Sequence, residues 1–247
     1  MEQKKFMDIS RIKEDTELTV ANTSGFHVGD HIVIQEKVDG SNSAIAYDKE
    51  TNKLVAFSRK KTLGYDNTLN GFWNWVQTLA VEPFSKYRNY VFFGEWLTSH
   101  AIKYIQDAYK KFYFYDVYDK ENECYLPQSE VKRLAEELNL RYVQTFYDGE
   151  FISWEHCMSF MHKSDIAVDI PEGIVVKNQT ELNNSNSKTP FVLKIVNSQF
   201  SEIKNDNHRQ KVEDPQKLAA KTKAFEIVEQ IVTKNRVQKE LYKMIDE

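Results

Sequence analysis

Short apolar runs separated by polar turns recur along most of the chain and predict β-strands. The runs are rich in β-branched and aromatic residues, and the turns between them contain glycine, asparagine and aspartate. That combination is typical of strands joined by tight turns. The predicted strands cover residues 31–34, 43–47, 53–58, 90–97, 112–119, 172–177 and 190–196.

Apolar residues at helical spacing predict three helices. One spans about 72–80 and ends at Pro83, one spans 129–138 with a serine as its N-terminal cap, and one spans 151–161. Residues 1–30 carry only short apolar pairs, and we expect a short helix and an edge strand there.

The order of these elements predicts an α+β fold. The strands cluster around turns, as in antiparallel sheets, and alternate irregularly with helices, which disfavours a doubly wound parallel sheet. A chain of 247 residues can form one full domain with a small appendage. Asp214-Pro215 and the apolar stripe that follows predict a helix start. We therefore expect a main domain at 1–205 and a helical C-terminal tail at 206–247.

Composition and charge narrow the class of protein. With 41% hydrophobic and 28% charged residues, the chain is not disordered as a whole. A formal net charge of −4 excludes a generally basic nucleic-acid coat, so any contact with nucleic acid must be local. Two basic clusters are candidates for phosphate contacts: Arg59-Lys60-Lys61, and Lys204 with His208, Arg209 and Lys211.

The sequence also bears on location. No apolar run approaches the roughly 20 residues that cross a bilayer, and the N-terminus lacks the apolar stretch of a signal peptide. Cys124 and Cys157 form no CxxC pair and no metal-ligand spacing. We expect a cytoplasmic protein with reduced thiols and no membrane partner, and favour a monomer.

One polar turn carries the first candidate for chemistry. Lys37-Val38-Asp39-Gly40 follows the predicted strand at 31–34 and places a lysine at its end. The pattern Lys-x-Asp-Gly is weak by itself, because chance would produce it in about one in twenty chains of this length. A lysine at a strand end is usually solvated.

Three later strands each contain an ionisable residue that folding would tend to bury. Glu95 lies in one, Lys177 ends another, and Lys194 lies between apolar residues in the last. Burial of an unpaired charge is costly, so such groups generally have partners or ligands. The alternative is that each side chain reaches water from a strand end.

Together these residues resemble the motifs of the covalent nucleotidyltransferases, the family of ATP-dependent RNA ligases, DNA ligases and mRNA capping enzymes. The resemblance covers about 31–200 and is closest to RNA ligases of the nick-sealing bacteriophage type. The six motifs, in order, are Glu36-Lys37-Val38-Asp39-Gly40 with Asn42, Ser58-Arg59-Lys60, Phe93-Gly94-Glu95-Trp96, Phe114-Tyr115-Asp116-Val117, Glu172-Gly173-Ile174-Val175-Val176-Lys177 and, in part, Val192-Leu193-Lys194-Ile195-Val196-Asn197.

The resemblance implies a nucleotidyltransferase (ligase adenylation) domain of largely antiparallel sheets with flanking helices. It implies ATP and Mg²⁺ (or Mn²⁺) as cofactors and RNA, as a nicked duplex or broken strand ends, as the partner. Lys37 would attack the α-phosphate of ATP and form a lysyl–AMP phosphoramidate. AMP would then pass to an RNA 5′-phosphate, and a 3′-hydroxyl would displace it to join the strands.

Site residues follow from the same resemblance. The catalytic residues would be Lys37, Lys177 and Lys194, with the latter two stabilising charge on the phosphate. Tyr115 would stack on adenine, with Tyr113 as the alternative. The residues expected to bind ATP are Glu36, Val38, Asn42, Arg59, Glu95, Tyr115 and Glu172, and those expected to position the metal are Asp39 and Glu172.

One departure from the family pattern keeps alternatives open. Where the family has Lys-x-Lys in its last motif, this chain has Lys194-Ile195-Val196. The alternatives are a DNA ligase, a capping-type nucleotidyltransferase, an inactive nucleotide- or RNA-binding relative, and an interaction protein whose aromatic residues are only core.

Overall fold

Two β-sheets form the framework of the computed structural model, which describes residues 3–13, 18, 25–183 and 188–200. These residues belong to one unit of the chain, Met1–Lys204. The strands are β1 (Ser10–Lys13), β2 (His31–Glu36), β3 (Ser41–Asp48), β4 (Lys53–Ser58), β5 (Tyr90–Trp96), β6 (Phe112–Asp119), β7 (Cys124–Tyr125), β8 (Arg141–Tyr142), β9 (Thr145–Glu150), β10 (Gly173–Asn178) and β11 (Val192–Val196).

The strand order separates the chain into a five-stranded and a six-stranded sheet. The first has the order β1-β11-β10-β2-β9, and the second has the order β4-β3-β5-β6-β7 with β8 beside β6. Among the described strands, only β1 with β11 and β8 with β6 pair in parallel. This architecture, with few helices, confirms the predicted α+β fold of largely antiparallel sheets. All seven predicted strands are present, and β1 is the expected edge strand.

Five short α-helices and one 3₁₀ turn that lie wholly within the described residues accompany the sheets. They are α1 (Phe72–Val76), α2 (Glu82–Ser85), α3 (Gln128–Glu137), α4 (Trp154–Met158), α5 (Thr180–Asn183) and the 3₁₀ turn Gln106–Ala108. Among the described residues before β2 there is no helix, so the one expected within 1–30 is not found in that part.

Helix boundaries differ from the prediction, and the helix expected at 151–161 covers only Trp154–Met158. The helix expected at 72–80 ends at Val76, and Pro83 opens α2 instead of ending a helix. Proline fits the first turn of a helix, where its missing N–H would have no partner anyway. The predicted serine cap is also wrong, because Ser129 lies inside α3 and Pro127 precedes the helix.

Alternation along the strands of the five-stranded sheet separates a core face from a polar face. Ile32 and Ile34 of β2 and Ile174 and Val176 of β10 pack in an apolar cluster with Trp154 of α4. Side chains of adjacent strand residues point to opposite faces. The intervening residues, Gln35 of β2 and Val175 and Lys177 of β10, therefore face the other way, towards a cavity that residues of the six-stranded sheet also line.

Several predictions fall outside the described residues. They are the helical tail at 206–247, the boundary at 205, and the basic cluster of Lys204, His208, Arg209 and Lys211. Within the part of the chain that the structure describes, no helix has the length and apolar character needed to cross a membrane.

Candidate functional site

The cavity between the sheets has a volume of about 190 Å³. It collects most of the residues that the sequence marked for chemistry, although they come from six separate motifs of the chain. Nine of the eleven predicted site residues line it: Glu36, Lys37, Val38, Asn42, Arg59, Glu95, Tyr115, Lys177 and Lys194. Of the other two, Asp39 follows Val38 in the chain, and Glu172 contacts Lys37.

Lys37 lies directly after β2, where the backbone turns towards the six-stranded sheet. Its amide donates to the carbonyl of Gly173 (2.9 Å), which extends the pairing of β2 with β10. Its Nζ donates to Oε2 of Glu172 at 2.6 Å. Gly173 has φ +144°, and a Cβ there would lie 2.1 Å from the carbonyl oxygen of Ile195. Glycine at 173 thus allows the close packing that holds Glu172 against Lys37.

Two further cations lie at this end of the cavity. Lys194, on β11, and Arg59, after β4, both line it. Burial lowers the pKa of Lys194, and the positive charges of Lys37, Arg59 and Arg11 lower it further. Arg59 donates from Nη2 to Oδ1 of Asp8 at 2.6 Å, and both side chains are largely exposed. A group of cations around one cavity is an arrangement that favours a bound anion.

Tyr115 lies in a β-bulge of β6. Phe114 pairs with Gly94 and Asp116 pairs with Phe93, so Tyr115 is the extra residue on its strand. Because of the bulge, Tyr115 and Asp116 both line the cavity, although neighbours on a regular strand would point apart. The hydroxyl of Tyr115 accepts a hydrogen bond from Nδ2 of Asn42 at 2.5 Å. The predicted alternative, Tyr113, is buried in an apolar cluster and is not among the lining residues.

Lys177 lies at the Tyr115 end of the cavity. Its Nζ donates to Oδ1 of Asp116 (2.9 Å) and to the carbonyl of Tyr115 (2.8 Å), and both members of the ion pair are buried. Burial raises the pKa of Asp116 and lowers that of Lys177. Lys177 lies four positions after Gly173 on β10, which corresponds to about 13 Å of strand. Lys177 therefore has a partner of its own at a distance from Lys37, and its catalytic role stays a prediction.

Two lining carboxyls are held away from water. Burial raises the pKa of Glu36 to about 7, although a hydrogen bond from the hydroxyl of Ser164 opposes the shift. Burial also raises the pKa of Glu95 to about 8, against the opposing effect of the Lys37 charge. Glu95 pairs with Asn42 across β5 and β3, which places it beside the Lys37 turn.

The two residues predicted to position a metal differ in their surroundings. Oδ2 of Asp39 accepts hydrogen bonds from the amides of Ala101 (3.0 Å) and Ile102 (3.2 Å), so this carboxylate ties two loops together. Glu172 is next to the cavity through its contact with Lys37. Among the described residues, no group of three or more His, Cys, Asp or Glu side chains could hold a metal. Glu172 is the better placed of the two for a cation that also has phosphate oxygens as ligands.

Sequence reasoning missed several lining residues. Val175 lies two residues before Lys177 on β10, and Gln35 lies two residues before Lys37, which directly follows β2, so the two-residue period of a strand could have identified both. Phe6, Met7 and Ile9 come from the N-terminal segment and had no such signal. The ring of Phe6 meets that of Tyr115 edge-on, with 5.2 Å between their centroids.

Comparison with known proteins gives one family and a set of solved structures. The model of the RNA ligase family matches residues 30–196, about two thirds of the chain. The chain matches no curated protein sequence.

The solved structures show the fold alone, because their sequence identity is low. An archaeal ATP-dependent RNA ligase superposes with a TM-score of 0.60 at 17% identity, over 98% of this chain and 62% of that one. A Naegleria gruberi RNA ligase variant with ATP and Mn gives 0.52 at 21% identity, over 70% and 52%. The chain thus spans between about half and three fifths of their length. Since the family model covers the whole stretch that contains the cavity motifs, from the Lys37 turn to β11, the chain belongs to the RNA ligase family.

Proposed function

We propose that the protein is an ATP-dependent RNA ligase that works through a lysyl–AMP intermediate. The observation that carries the proposal is the position of Lys37. Its Nζ lies 2.6 Å from Glu172 in a cavity between two sheets, and Lys194 and Arg59 line the same cavity. A cavity that holds a lysine nucleophile among other cations suits a polyphosphate substrate.

The two ends of the cavity suit the two ends of ATP. Tyr115 offers an aromatic surface for adenine at one end, and Oδ2 of Asp116 beside it is buried without a partner among the described residues. Glu95 and Asn42 lie between the two ends and would contact the ribose. Lys194 and Arg59 would contact the phosphates near Lys37. That a related Naegleria gruberi ligase has been solved with ATP and Mn supports this assignment.

The reaction would proceed in three displacements at phosphorus. The uncharged Lys37 amine, having lost a proton to water, attacks the α-phosphate; a P–N bond forms, the nitrogen loses a second proton to water, and the P–O bond to pyrophosphate breaks. An oxygen of the RNA 5′-phosphate then attacks the α-phosphate of the adduct, which breaks the P–N bond, and the nitrogen takes a proton from water to return the amine. Finally the RNA 3′-hydroxyl attacks the 5′-phosphate, loses its proton and releases AMP.

Glu172 would hold the divalent cation that such ligases use, and a bound cation supplies positive charge that offsets that of the triphosphate. The Glu172 oxygen that accepts a hydrogen bond from Lys37 could not at the same time be a ligand of that cation. If Glu172 held the cation, the Lys37 Nζ would be released from its 2.6 Å contact and would be free to approach the α-phosphate. Asp39 would contact the cation only through water, since its carboxylate holds two loop amides. Magnesium as the cation, a monomeric state and a cytoplasmic location stay predictions.

Labelling with α-³²P-ATP tests the proposal. The wild type should form an acid-stable covalent adduct that requires a divalent cation, and Lys37→Met should form none. Lys110→Met, which changes an exposed lysine outside the cavity, serves as the control. Labelling by GTP in place of ATP would indicate a capping-type enzyme. A nicked duplex with RNA or DNA on the 3′-hydroxyl side then separates the ligase classes, and sealing of DNA alone would contradict an RNA ligase.

An inactive nucleotide-binding relative is the second candidate, and Val196 favours it. Val196 is buried in an apolar cluster with Val38 and Phe200, so the position of the family's second lysine offers no charge. This candidate predicts that ATP binds with no adduct at any concentration of Mg²⁺ or Mn²⁺. Equilibrium dialysis with labelled ATP, run beside the adduct assay, distinguishes the two.

A further inference from the structure

The surface next to the cavity contains a rigid hairpin with an exposed aromatic residue at its tip. The amides and carbonyls of Gly64 and Asn67 bond to each other reciprocally (3.2 and 3.1 Å), which leaves Tyr65 and Asp66 as the two tip residues. Leu63 anchors the hairpin: it is buried, and its amide donates to the carbonyl of Ala56 at 2.9 Å. The position of Tyr65 is therefore fixed by backbone pairing and not by its own side chain.

Tyr65 has no packing role in the part of the chain that the structure describes. The residue is 87% exposed, the highest value among the large hydrophobic residues that the structure describes. A scattered exposed apolar residue needs no explanation. A tyrosine held at a fixed tip, however, can bury its ring against a partner without loss of backbone entropy.

Basic residues lead from the cavity to this hairpin. Arg59 lines the cavity, and the exposed Lys60 and Lys61 follow it in a tight turn closed by a bond from the amide of Ser58 to the carbonyl of Lys61 (2.9 Å). Neither lysine forms an ion pair with the described residues. With Asp66 as the single acid, residues 59–67 have a formal charge of +2, three basic groups minus one, on a chain of net charge −4.

We propose that residues 59–67 form a binding surface for single-stranded RNA, in which Lys60 and Lys61 contact phosphates and Tyr65 stacks on an unpaired base. Positive groups beside an exposed aromatic ring are the combination that binds single strands without reading sequence. Tyr65 lies five positions after Lys60, which corresponds to at most about 17 Å of chain. The inference rests on the proposed function, since RNA whose 5′-phosphate enters the cavity would leave it along this surface.

Two sets of variants of the full chain test the surface, with fluorescence anisotropy of a 5′-phosphorylated RNA oligonucleotide as the readout. Tyr65→Ala should weaken binding about tenfold, which corresponds to about 1.4 kcal/mol, and Tyr65→Phe should restore most of it. Val28→Ala, a change at another exposed apolar position, should have no effect. Equal affinity of wild type and Tyr65→Ala would overturn the stacking contact.

The phosphate contacts have a separate signature in salt dependence. The pair Lys60→Ala and Lys61→Ala should reduce the slope of log affinity against log salt by about 1.4, or 0.7 for each phosphate contact to a single strand. Lys49→Ala with Lys53→Ala removes the same charge near the opposite end of the β3–β4 hairpin and should leave the slope unchanged. A slope that falls equally in both pairs would overturn the local surface.

Adduct formation separates this inference from the proposed function. The Tyr65 and Lys60/Lys61 variants should form lysyl–AMP within twofold of the wild-type rate, because these side chains lie outside the nucleotide cavity. Loss of adduct formation together with RNA binding would overturn the surface in favour of a general folding defect. A wild type that binds RNA through Tyr65 but forms no adduct would refute the ligase and keep the surface.

Discussion

A buried carboxyl stands directly before the proposed nucleophile. Glu36 has a pKa of about 7 in the folded protein, against an ordinary value of 4.5, with burial as the main cause. A folded-state pKa above the unfolded value means that the folded protein binds the proton more tightly. Burial of Glu36 therefore carries no electrostatic penalty below about pH 4.5, and the penalty grows until the pH exceeds about 7.

Glu36→Gln should remove this pH dependence. At pH 5 the variant should unfold with nearly the free energy of the wild type, and at pH 8 it should be more stable by up to ~3 kcal/mol. Denaturant unfolding at the two pH values measures the difference. Glu50→Gln, on an exposed turn, is the control and should show no such change. A variant that is less stable than the wild type at pH 8 would contradict the assignment of burial as the cause.

Gly173 provides a second prediction for a single residue. Gly173→Ala should destabilise the protein by more than 3 kcal/mol, since the new Cβ would meet the Ile195 carbonyl at 2.1 Å in addition to the strain of positive φ. Gly29 also has positive φ, but nothing lies within 4 Å of its Cβ position. Gly29→Ala should cost only ~1 kcal/mol. Equal losses in thermal unfolding would show that the contact adds nothing to the strain.

At the scale of elements, the edge strand β1 places a positive charge near Lys194, which lines the cavity. Its parallel register places Arg11 opposite Lys194 of β11. Neighbouring residues in register share a face of the sheet, so Arg11 lies on the side from which Lys194 lines the cavity. Since Val196 provides no cation, β1 is the element that can replace the missing charge.

Arg11→Ala should therefore slow lysyl–AMP formation about tenfold, because a hydrogen bond to a charged group is worth about 1.5 kcal/mol. Arg11→Lys should retain part of the rate because it keeps the charge. Single-turnover adduct formation is the measurement, and Lys53→Ala is the control outside the cavity. An unchanged rate in Arg11→Ala would show that the edge strand has no part in binding the triphosphate.

The elements also show what sequence patterns can and cannot predict. Strands such as β3 and β6 were evident because continuous apolar runs and turn residues bounded them. β9 was not predicted, because most of its residues are partly exposed and no apolar run marks it. The Lys37 turn and the later motifs were identified in the sequence. The position of Phe6 against Tyr115, however, depends on long-range packing. The bulge at Tyr115 depends on pairing with β5, which no local pattern specifies.

At the scale of the whole molecule, one buried ion pair joins the two sheets. Lys177 belongs to the five-stranded sheet and Asp116 to the six-stranded sheet, and Gln128 of α3 also donates to Oδ1 of Asp116 (2.6 Å). Removal of one partner from a buried pair leaves an uncompensated charge, which costs more than removal of both. The pair is therefore a structural connection across the cavity.

A double-mutant cycle tests this connection. Lys177→Met and Asp116→Leu should each lower the free energy of unfolding by ~3–5 kcal/mol, and the double variant should lose clearly less than their sum. The exposed pair of Lys111 and Asp107 offers a matched cycle, with an expected coupling below ~1 kcal/mol. Additive losses at Lys177 and Asp116 would contradict the connection.

The bulge in β6 has a consequence for insertions and deletions. Phe114 and Asp116 each pair with a residue of β5. Tyr115, between them, has no partner in the pairing of β5 with β6. Loss of its codon would join two correctly registered halves into a regular strand and leave every flanking side chain on its present face. The reading frame thus contains a position where a three-base deletion would remove the ring proposed to bind adenine and spare the architecture.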